Sequence, residues 1–176
     1  MDDILTHRLR LRPASAGDLE AVHGLLSHPA AMRYWSTPPH TDIEQSRTWL
    51  ERMIAQSMAT GCDFLVEFER RVIGKAGCYA PPEIGYIFHP DVWGRGFASE
   101  ALTAVIPHVF AACLFDTLRA DVDPRNEASL KLLMRLGFRE VGRVSRTWLV
   151  GNEWCDSVYL ELGRHEAGSG ANRNIS

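Results

Sequence analysis

Apolar and polar residues alternate near the start of the chain, where Leu9 and Leu11 are flanked by arginines. A period of two indicates a strand with one buried face, and Pro13 ends it. The same signals of periodicity, capping and turns predict the other elements. The helices run from a capping box at 15–18 to about Leu26, from a capping box at 41–44 to near Gly61, over 98–110 with Pro107 inside, and onward from Asn126. The strands lie at 64–68, at 72–78, from Glu83 after Pro81 and Pro82, and at 118–122. A hairpin of 139–150 and 154–162 comes last.

Helices that lie between strands in this order predict an α/β (α+β) fold with a mixed sheet. The chain has 176 residues, a usual size for one domain with its own core. We expect residues 1–163 to form that domain. Residues 164–176 contain few apolar side chains and the run Gly168-Ser169-Gly170, so we expect a disordered tail.

Composition excludes several classes of function. The net charge of −3 provides no basic surface for nucleic acid, although mild acidity would suit a cationic amine. The cysteines and histidines lack the spacing of metal ligands, so we expect no metal and free thiols in a reducing compartment. The start of the chain does not have the pattern of a secretory signal, and no apolar run reaches the roughly 20 residues that span a bilayer. We therefore expect a cytoplasmic protein with no membrane partner.

The most informative segment is residues 91–102, which join an apolar strand to a long helical pattern. Gly94 and Gly96 enclose Arg95 just before the helix begins. Glycines permit a tight turn with backbone N–H groups close to a ligand, and the positive end of the helix dipole faces the same place. This order predicts an anion site suited to a pyrophosphate. A dinucleotide-binding fingerprint would need a third glycine where Ser99 stands, so we reject that class.

A second motif lies about thirty residues downstream, from Asn126 to the Gly-Phe pair at 137–138. In order and spacing, the two motifs resemble the acetyl-coenzyme A binding core of the GNAT superfamily of N-acetyltransferases. Trp93 in the first motif and Ser129 in the second are typical of its RimJ/RimL-like group, the ribosomal-protein N-terminal acetyltransferases.

Two further segments, 83–86 and 151–157, also fit that group, and the resemblance covers about residues 7–163. It implies a mostly antiparallel sheet of six to seven strands, flanked by about four helices. Two central parallel strands would splay apart, with acetyl-coenzyme A as co-substrate in the gap. The cofactor-binding residues that it implies are Ile87 and Phe88 through their backbone, Trp93, Gly94, Arg95, Gly96, Phe97 and Ala98 in the loop, and Asn126 and Ser129.

Several of these residues have a second interpretation. Asn126 could serve only as the N-cap of its helix, and this role is compatible with a hydrogen bond to pantetheine. Arg95 could neutralise the pyrophosphate, or it could point to solvent while the backbone binds. Aromatic Trp93 is expected to pack on the sheet and fix the entry of the loop.

Glu83 and Ser129 are the catalytic candidates. A glutamate at the position of Glu83 serves as general base in several GNAT members, although a strand-end carboxylate can equally be solvated or paired. Asp63 and Glu67 are weaker candidates. Many members use a tyrosine seven residues after the helix-opening Asn to protonate the thiolate, but Leu133 occupies that position. Ser129, one turn earlier, is the natural replacement, with water as the alternative proton donor.

Trp35 is the candidate for acceptor binding together with Glu83, because it lies in the loop between the first two helices; it could also be a core anchor. Trp148 and Trp154 have the same two interpretations, acceptor binding or a core anchor. His40 could act in catalysis or simply be an exposed loop residue.

The resulting hypothesis is an N-acetyltransferase that moves an acetyl group to a primary amine by direct attack in a ternary complex, as a monomer or homodimer. The acceptor could be a protein N-terminus or a small-molecule amine. The alternative is a non-catalytic acyl-coenzyme A binding module, which the absence of the tyrosine favours and the presence of Glu83 and Ser129 argues against.

Overall fold

A computed structural model describes residues 2–167 of the chain. Its centre is one mixed sheet of eight strands in the order β1-β2-β3-β4-β5-β6-β8-β7. Neighbouring strands are antiparallel, except for the parallel pair β5 and β6. The strands are β1 Ile4–Leu5, β2 Leu9–Arg12, β3 Asp63–Phe68, β4 Arg71–Ala80, β5 Glu83–Phe88, β6 Thr117–Val122, β7 Arg139–Val150 and β8 Glu153–Gly163.

Four α-helices flank the sheet, and their ends follow local sequence signals. They are α1 Leu19–Leu26, α2 Ile43–Thr60, α3 Phe97–Ala112 and α4 Glu127–Arg135. A capping box between Ser15 and Asp18 opens a short 3-10 turn that leads into α1. The box of α2 joins Asp42 to Gln45, one residue later than predicted, and the helix ends at Gly61 in the left-handed region, with φ 66°.

The sheet separates two apolar cores. On one face, α3 and α4 pack against alternate residues of the strands, including Ile84 and Phe88 of β5. On the other face, α1 and α2 pack against a second cluster that includes Ile87. We call these the α3–α4 face and the α1–α2 face. Since side chains alternate along a strand, Glu83 projects toward the α1–α2 face.

The predicted fold class and mixed sheet are confirmed, with eight strands instead of six to seven. The additional strand is β1, which has only two residues and is too short to produce a periodic signal. In the expected tail, residues 164–167 are ordered: Arg164 donates hydrogen bonds to the carbonyls of Cys113 and Phe115, both 2.8 Å away. The rest of the expected tail, residues 168–176, lies outside the described residues.

A buried ion pair joins β3 and β4 beneath α2. Lys75 Nζ lies 2.7 Å from Asp63 Oδ1, and the two residues are only 1% and 2% exposed. A buried charge is tolerated when it is paired, because its partner replaces part of the lost hydration. Asp63, a weaker catalytic candidate, is therefore placed in the interior of the fold.

We expect Lys75→Met to lower the free energy of unfolding by about 3–5 kcal/mol, because it leaves the Asp63 carboxylate buried without its partner. Lys75→Met combined with Asp63→Leu should recover most of this loss. Urea unfolding of the variants measures both effects. The control is Lys131→Met, which breaks an exposed pair with Glu127 on α4 and should change stability little. Equal effects at the two lysines would contradict the assignment.

Candidate active site

A gap opens in the sheet between β5 and β6. The two strands are in register only at Glu83 and Arg119, where the Arg119 N–H donates to the Pro82 carbonyl at 3.0 Å. Beyond this point they diverge. In contrast, β4 stays paired with β5 as far as Phe88. The second half of β5 therefore has one backbone edge that faces the gap.

Backbone alternation decides which residues of β5 present that edge. His89 donates its N–H to Ile73 of β4 at 2.8 Å, whereas Pro82 points its carbonyl to β6. The backbone N–H and C=O groups of successive residues point alternately to the two neighbouring strands. The backbone of Ile87 therefore pairs with β4, and the backbones of Tyr86 and Phe88 face the gap. The prediction that the Ile87 backbone faces a ligand is therefore corrected to Tyr86, whereas Phe88 does face the gap.

The glycine loop lies at the wide end of the gap. Gly94 and Gly96 adopt φ values of 71° and 78°, which favour glycine, and α3 begins directly after Gly96. The first intrahelical bond runs from the Glu100 N–H to the Gly96 carbonyl at 3.0 Å. The N–H groups of residues 97–99, which include Phe97 and Ala98, therefore have no intrahelical acceptor. These free N–H groups and the positive end of the helix dipole suit an anion, and the pyrophosphate site that the motif indicates stays a prediction.

Arg8, which directly precedes β2, binds this loop through its side chain. Its guanidinium donates to the Arg95 carbonyl at 3.0 Å and pairs with Glu100 at 2.7 Å. Burial raises the pKa of Glu100, but hydrogen bonds from Thr6 and Arg8 outweigh it and hold this pKa below its ordinary value. The Arg95 guanidinium lies 4.9 Å from the centroid of the Phe97 ring. Arg95 is thus anchored on an aromatic ring, and the backbone provides most of the anion-binding groups.

Trp93 connects the loop to the gap by a hydrogen bond. Its indole N–H donates to the Phe88 carbonyl at 2.8 Å, and the residue is 54% exposed. The side chain fixes the entry of the loop, as expected, but through this polar bond at the surface and not through burial.

The opposite wall of the gap is the first turn of α4. Asn126 is its N-cap, and Asn126 Oδ1 accepts a hydrogen bond from the Ser129 N–H at 3.2 Å. This leaves the amide nitrogen of Asn126 outside the cap. Ser129 Oγ lies 2.6 Å from the Tyr86 hydroxyl, which reaches it from β5. Leu133, where many GNAT members carry the tyrosine, is fully buried in the core.

Glu83 lies at the closed end of the gap and is partly buried. Burial raises its pKa above the ordinary value, Arg119 lowers it, and the charges of Asp121 and Glu161 raise it further. A carboxylate with a raised pKa is a stronger base when it is ionised. The geometry therefore gives Glu83 the environment of a proton acceptor on the α1–α2 face.

The comparisons with known proteins agree with this geometry. Residues 8–139 match the family model of the acetyltransferase (GNAT) domain. The chain belongs to the GNAT acetyltransferase family. It is 30% identical over 151 residues, which is 81% of this chain and 85% of the relative, to an uncharacterized N-acetyltransferase, p20, of Bacillus licheniformis.

This GNAT protein is also similar to two proteins whose names include an acceptor. One is the spermidine N(1)-acetyltransferase of Escherichia coli, which is 25% identical, with 91% of this chain and 88% of the relative covered. The other is a solved structure of RimL, a ribosomal L7/L12 acetyltransferase in complex with coenzyme A, with a TM-score of 0.80, 20% identity and coverage of 92% and 98%. The assignment to the GNAT superfamily is confirmed, and these similarities are consistent with its RimJ/RimL-like group.

The other candidates have structural partners in this GNAT domain. Trp35 packs against the core under α1 and α2, and its role in acceptor binding stays a prediction. His40 Nδ1 lies 2.8 Å from Ser46 Oγ, and burial followed by the charge of His23 lowers the pKa of His40. Glu67 pairs with Arg12 at 2.7 Å.

Three contributors to the site were not among the sequence candidates. From the sequence, Tyr86 is part of a motif without a role of its own, and Arg8 is one of the arginines of an alternating strand. Asp121 accepts a hydrogen bond from the Trp148 indole at 2.9 Å and faces the same side as Glu83. Each of these contacts joins residues that are distant in the sequence, so no local pattern could reveal them.

Within residues 2–167, no group of three or more His, Cys, Asp or Glu side chains is arranged to hold a metal ion. Over the same residues, no helix is both long and apolar enough to cross a membrane.

We expect Trp93→Phe to lower the free energy of unfolding by about 0.5–1.5 kcal/mol, since it removes the donor to the Phe88 carbonyl but keeps an aromatic ring. Trp93→Ala should cost more, yet less than the roughly 3–5 kcal/mol of a fully buried aromatic residue. Chemical denaturation measures both. Trp154→Phe, at another exposed tryptophan, is the control and should have little effect. Unchanged stability in both Trp93 variants would show that the hydrogen bond does not hold the loop.

Proposed function

We propose that this GNAT protein transfers an acetyl group from acetyl-coenzyme A to a primary amine by direct attack in a ternary complex. The observation that carries the proposal is the continuous surface formed by the free edge of β5 and the glycine loop. The edge at Tyr86 and Phe88 can pair with an extended amide-containing chain such as pantetheine, as an added strand would. The loop and the start of α3 follow directly and suit the pyrophosphate.

Other residues of the gap fit the same co-substrate. Asn126 keeps its amide nitrogen available for pantetheine while its oxygen caps α4. Gly94 and Gly96, with no side chain, allow phosphates to approach the backbone closely. The acetyl thioester supplies a reactive carbonyl carbon, so the protein has to position it and manage protons.

The two candidate catalytic residues lie on opposite faces of β5. Glu83 projects to the α1–α2 face, where it can take a proton from the incoming ammonium, directly or through water. Ser129 lies on the other face, at the wall formed by α4, where it can donate a hydrogen bond to the leaving sulfur. Addition of the amine to the acetyl carbonyl gives a tetrahedral intermediate, and the two residues on opposite faces can then act separately on the nitrogen and on the departing sulfur.

The acceptor is proposed to be a cationic amine. Glu83, Asp121 and Glu161 surround the closed end of the gap with negative charge, and Arg119 neutralises only part of it. This environment attracts an ammonium group. A polyamine and a protein N-terminus both meet the requirement, and two proteins similar to this chain are named for such acceptors.

A non-catalytic acyl-coenzyme A binding module is the second candidate, and the burial of Leu133 at the usual tyrosine position favours it. Release of free thiol from acetyl-coenzyme A with a panel of amines separates the two functions. Binding without thiol release would support the binding module.

We expect Gly96→Glu to weaken the binding of acetyl-coenzyme A at least tenfold more than Gly96→Ala does. Both variants impose a side chain on a φ of 78°, with its Cβ 3.6 Å from Arg8 Nη2, and only the glutamate adds a negative charge to the loop proposed to bind the pyrophosphate. The alanine variant thus controls for backbone strain. Isothermal calorimetry gives both affinities, and equal values would remove the glycine loop from the binding site.

We expect Glu83→Gln to lower kcat by about 10²- to 10⁴-fold with little change in cofactor affinity, since the amide keeps the shape and loses the basicity. The acid limb of the pH–rate profile reports the Glu83 pKa in the wild type. Glu161→Gln removes one charge that raises this pKa, so its acid limb should move to lower pH. A Glu83→Gln profile identical to that of the wild type would exclude Glu83 from proton transfer.

A further inference from the structure

The hydrogen bond between Tyr86 and Ser129 links the two walls of the gap. Tyr86 belongs to β5 and Ser129 to the first turn of α4, and their hydroxyl oxygens are 2.6 Å apart. Tyr86 packs at the edge of the core on the α3–α4 face, with its hydroxyl also 3.5 Å from the Ser129 carbonyl. A bond of this length is a good O–H···O contact.

The chemistry of the two hydroxyls indicates which one donates. A phenol is a much stronger acid than an aliphatic alcohol, so it is the better donor, and the serine oxygen is the better acceptor. Burial raises the pKa of Tyr86 to about 12, although the bond with Ser129 acts in the opposite direction. Tyr86 therefore keeps its proton, and remains a donor, throughout the neutral pH range.

Donation by Tyr86 constrains the proton of Ser129. The backbone of Ser129 is held by the Asn126 cap, and its oxygen is held by the phenol. Because one lone pair of Oγ is occupied, the serine O–H has to point away from Tyr86. Two hydroxyls in series also polarise each other, which makes the second one a stronger donor. The N-terminal end of α4 favours negative charge in the same region.

We propose that Tyr86 is a positioning residue, which orients the Ser129 hydroxyl toward the sulfur that departs from the acetyl group. This inference rests on the proposed function. In the reaction, a bond forms between the amine nitrogen and the acetyl carbon, and the carbon–sulfur bond breaks. The sulfur leaves with the electron pair, stabilised by the hydrogen bond from Ser129. An ammonium acceptor loses two protons from its nitrogen: one goes to Glu83 and on to solvent, and the other balances the proton that the sulfur gains, so no further reactant is needed.

Tyr86→Phe tests the proposal because it removes only the hydroxyl. We expect kcat to fall about 3- to 10-fold, the size of one hydrogen bond, with an unchanged KM for acetyl-coenzyme A. In a Ser129→Ala background, the same change should have no further effect on kcat, because its target is missing. Tyr159→Phe, at an exposed tyrosine of β8, is the matched control and should behave as the wild type.

The outcomes separate orientation from a purely structural link. If the hydroxyl only ties β5 to α4, Tyr86→Phe should raise KM for acetyl-coenzyme A, or should lower kcat by the same factor with and without Ser129. Either result overturns the proposal, as does a Tyr86→Phe enzyme with wild-type kcat. A wild-type protein that releases no thiol with any amine would instead overturn the proposed function and this inference with it.

Discussion

The divergence of β5 from β6 after a single registered pair is the constraint on which the site depends. A sheet normally satisfies its backbone groups with the next strand, so a strand with one open edge has polar groups that need another partner. Here the last residues of β5 keep β4 on one side and face the gap on the other. An extended ligand with amide groups can satisfy this edge. The opening in the sheet is therefore where we propose that the cofactor binds, and the flanking elements serve to keep it open.

Several long-range contacts keep the geometry of the opening. Arg8 holds the glycine loop through the Arg95 carbonyl, and Trp93 holds it through the Phe88 carbonyl. Tyr86 spans the gap to α4. Arg8 and Trp93 donate to backbone carbonyls at the edge of the gap. The Tyr86 hydroxyl lies 3.5 Å from a third carbonyl, that of Ser129. Loop, strand and helix are thus held at fixed distances before any ligand binds, which lowers the ordering cost of binding.

The features that could be predicted from sequence depend on a few neighbouring residues. The capping box at Ser15, the tight turn at Gly94 and Gly96, and the cap at Asn126 are all local, and the structure confirms them, whereas the second capping box lies one residue later than predicted. The errors concern register and distant contacts. The sequence predicts that the Ile87 backbone faces the gap, whereas the structure places the Tyr86 backbone there. The difference depends on how β5 pairs with β4, and the pattern of one strand does not contain that pairing.

Two residues of α4 serve different purposes, since Leu133 packs in the core and Ser129 lies at the gap. The Leu133 side chain is fully buried among the apolar residues of the α3–α4 face, so a tyrosine at this position would have to displace part of that core. Ser129, one turn earlier, is at the gap, and the phenol that it contacts comes from β5. A phenol and a helix hydroxyl can therefore meet at the gap while Leu133 remains in the core. Because this pair lies on the α3–α4 face and Glu83 on the other, the sulfur should leave toward α4 and the amine should enter from the α1–α2 face.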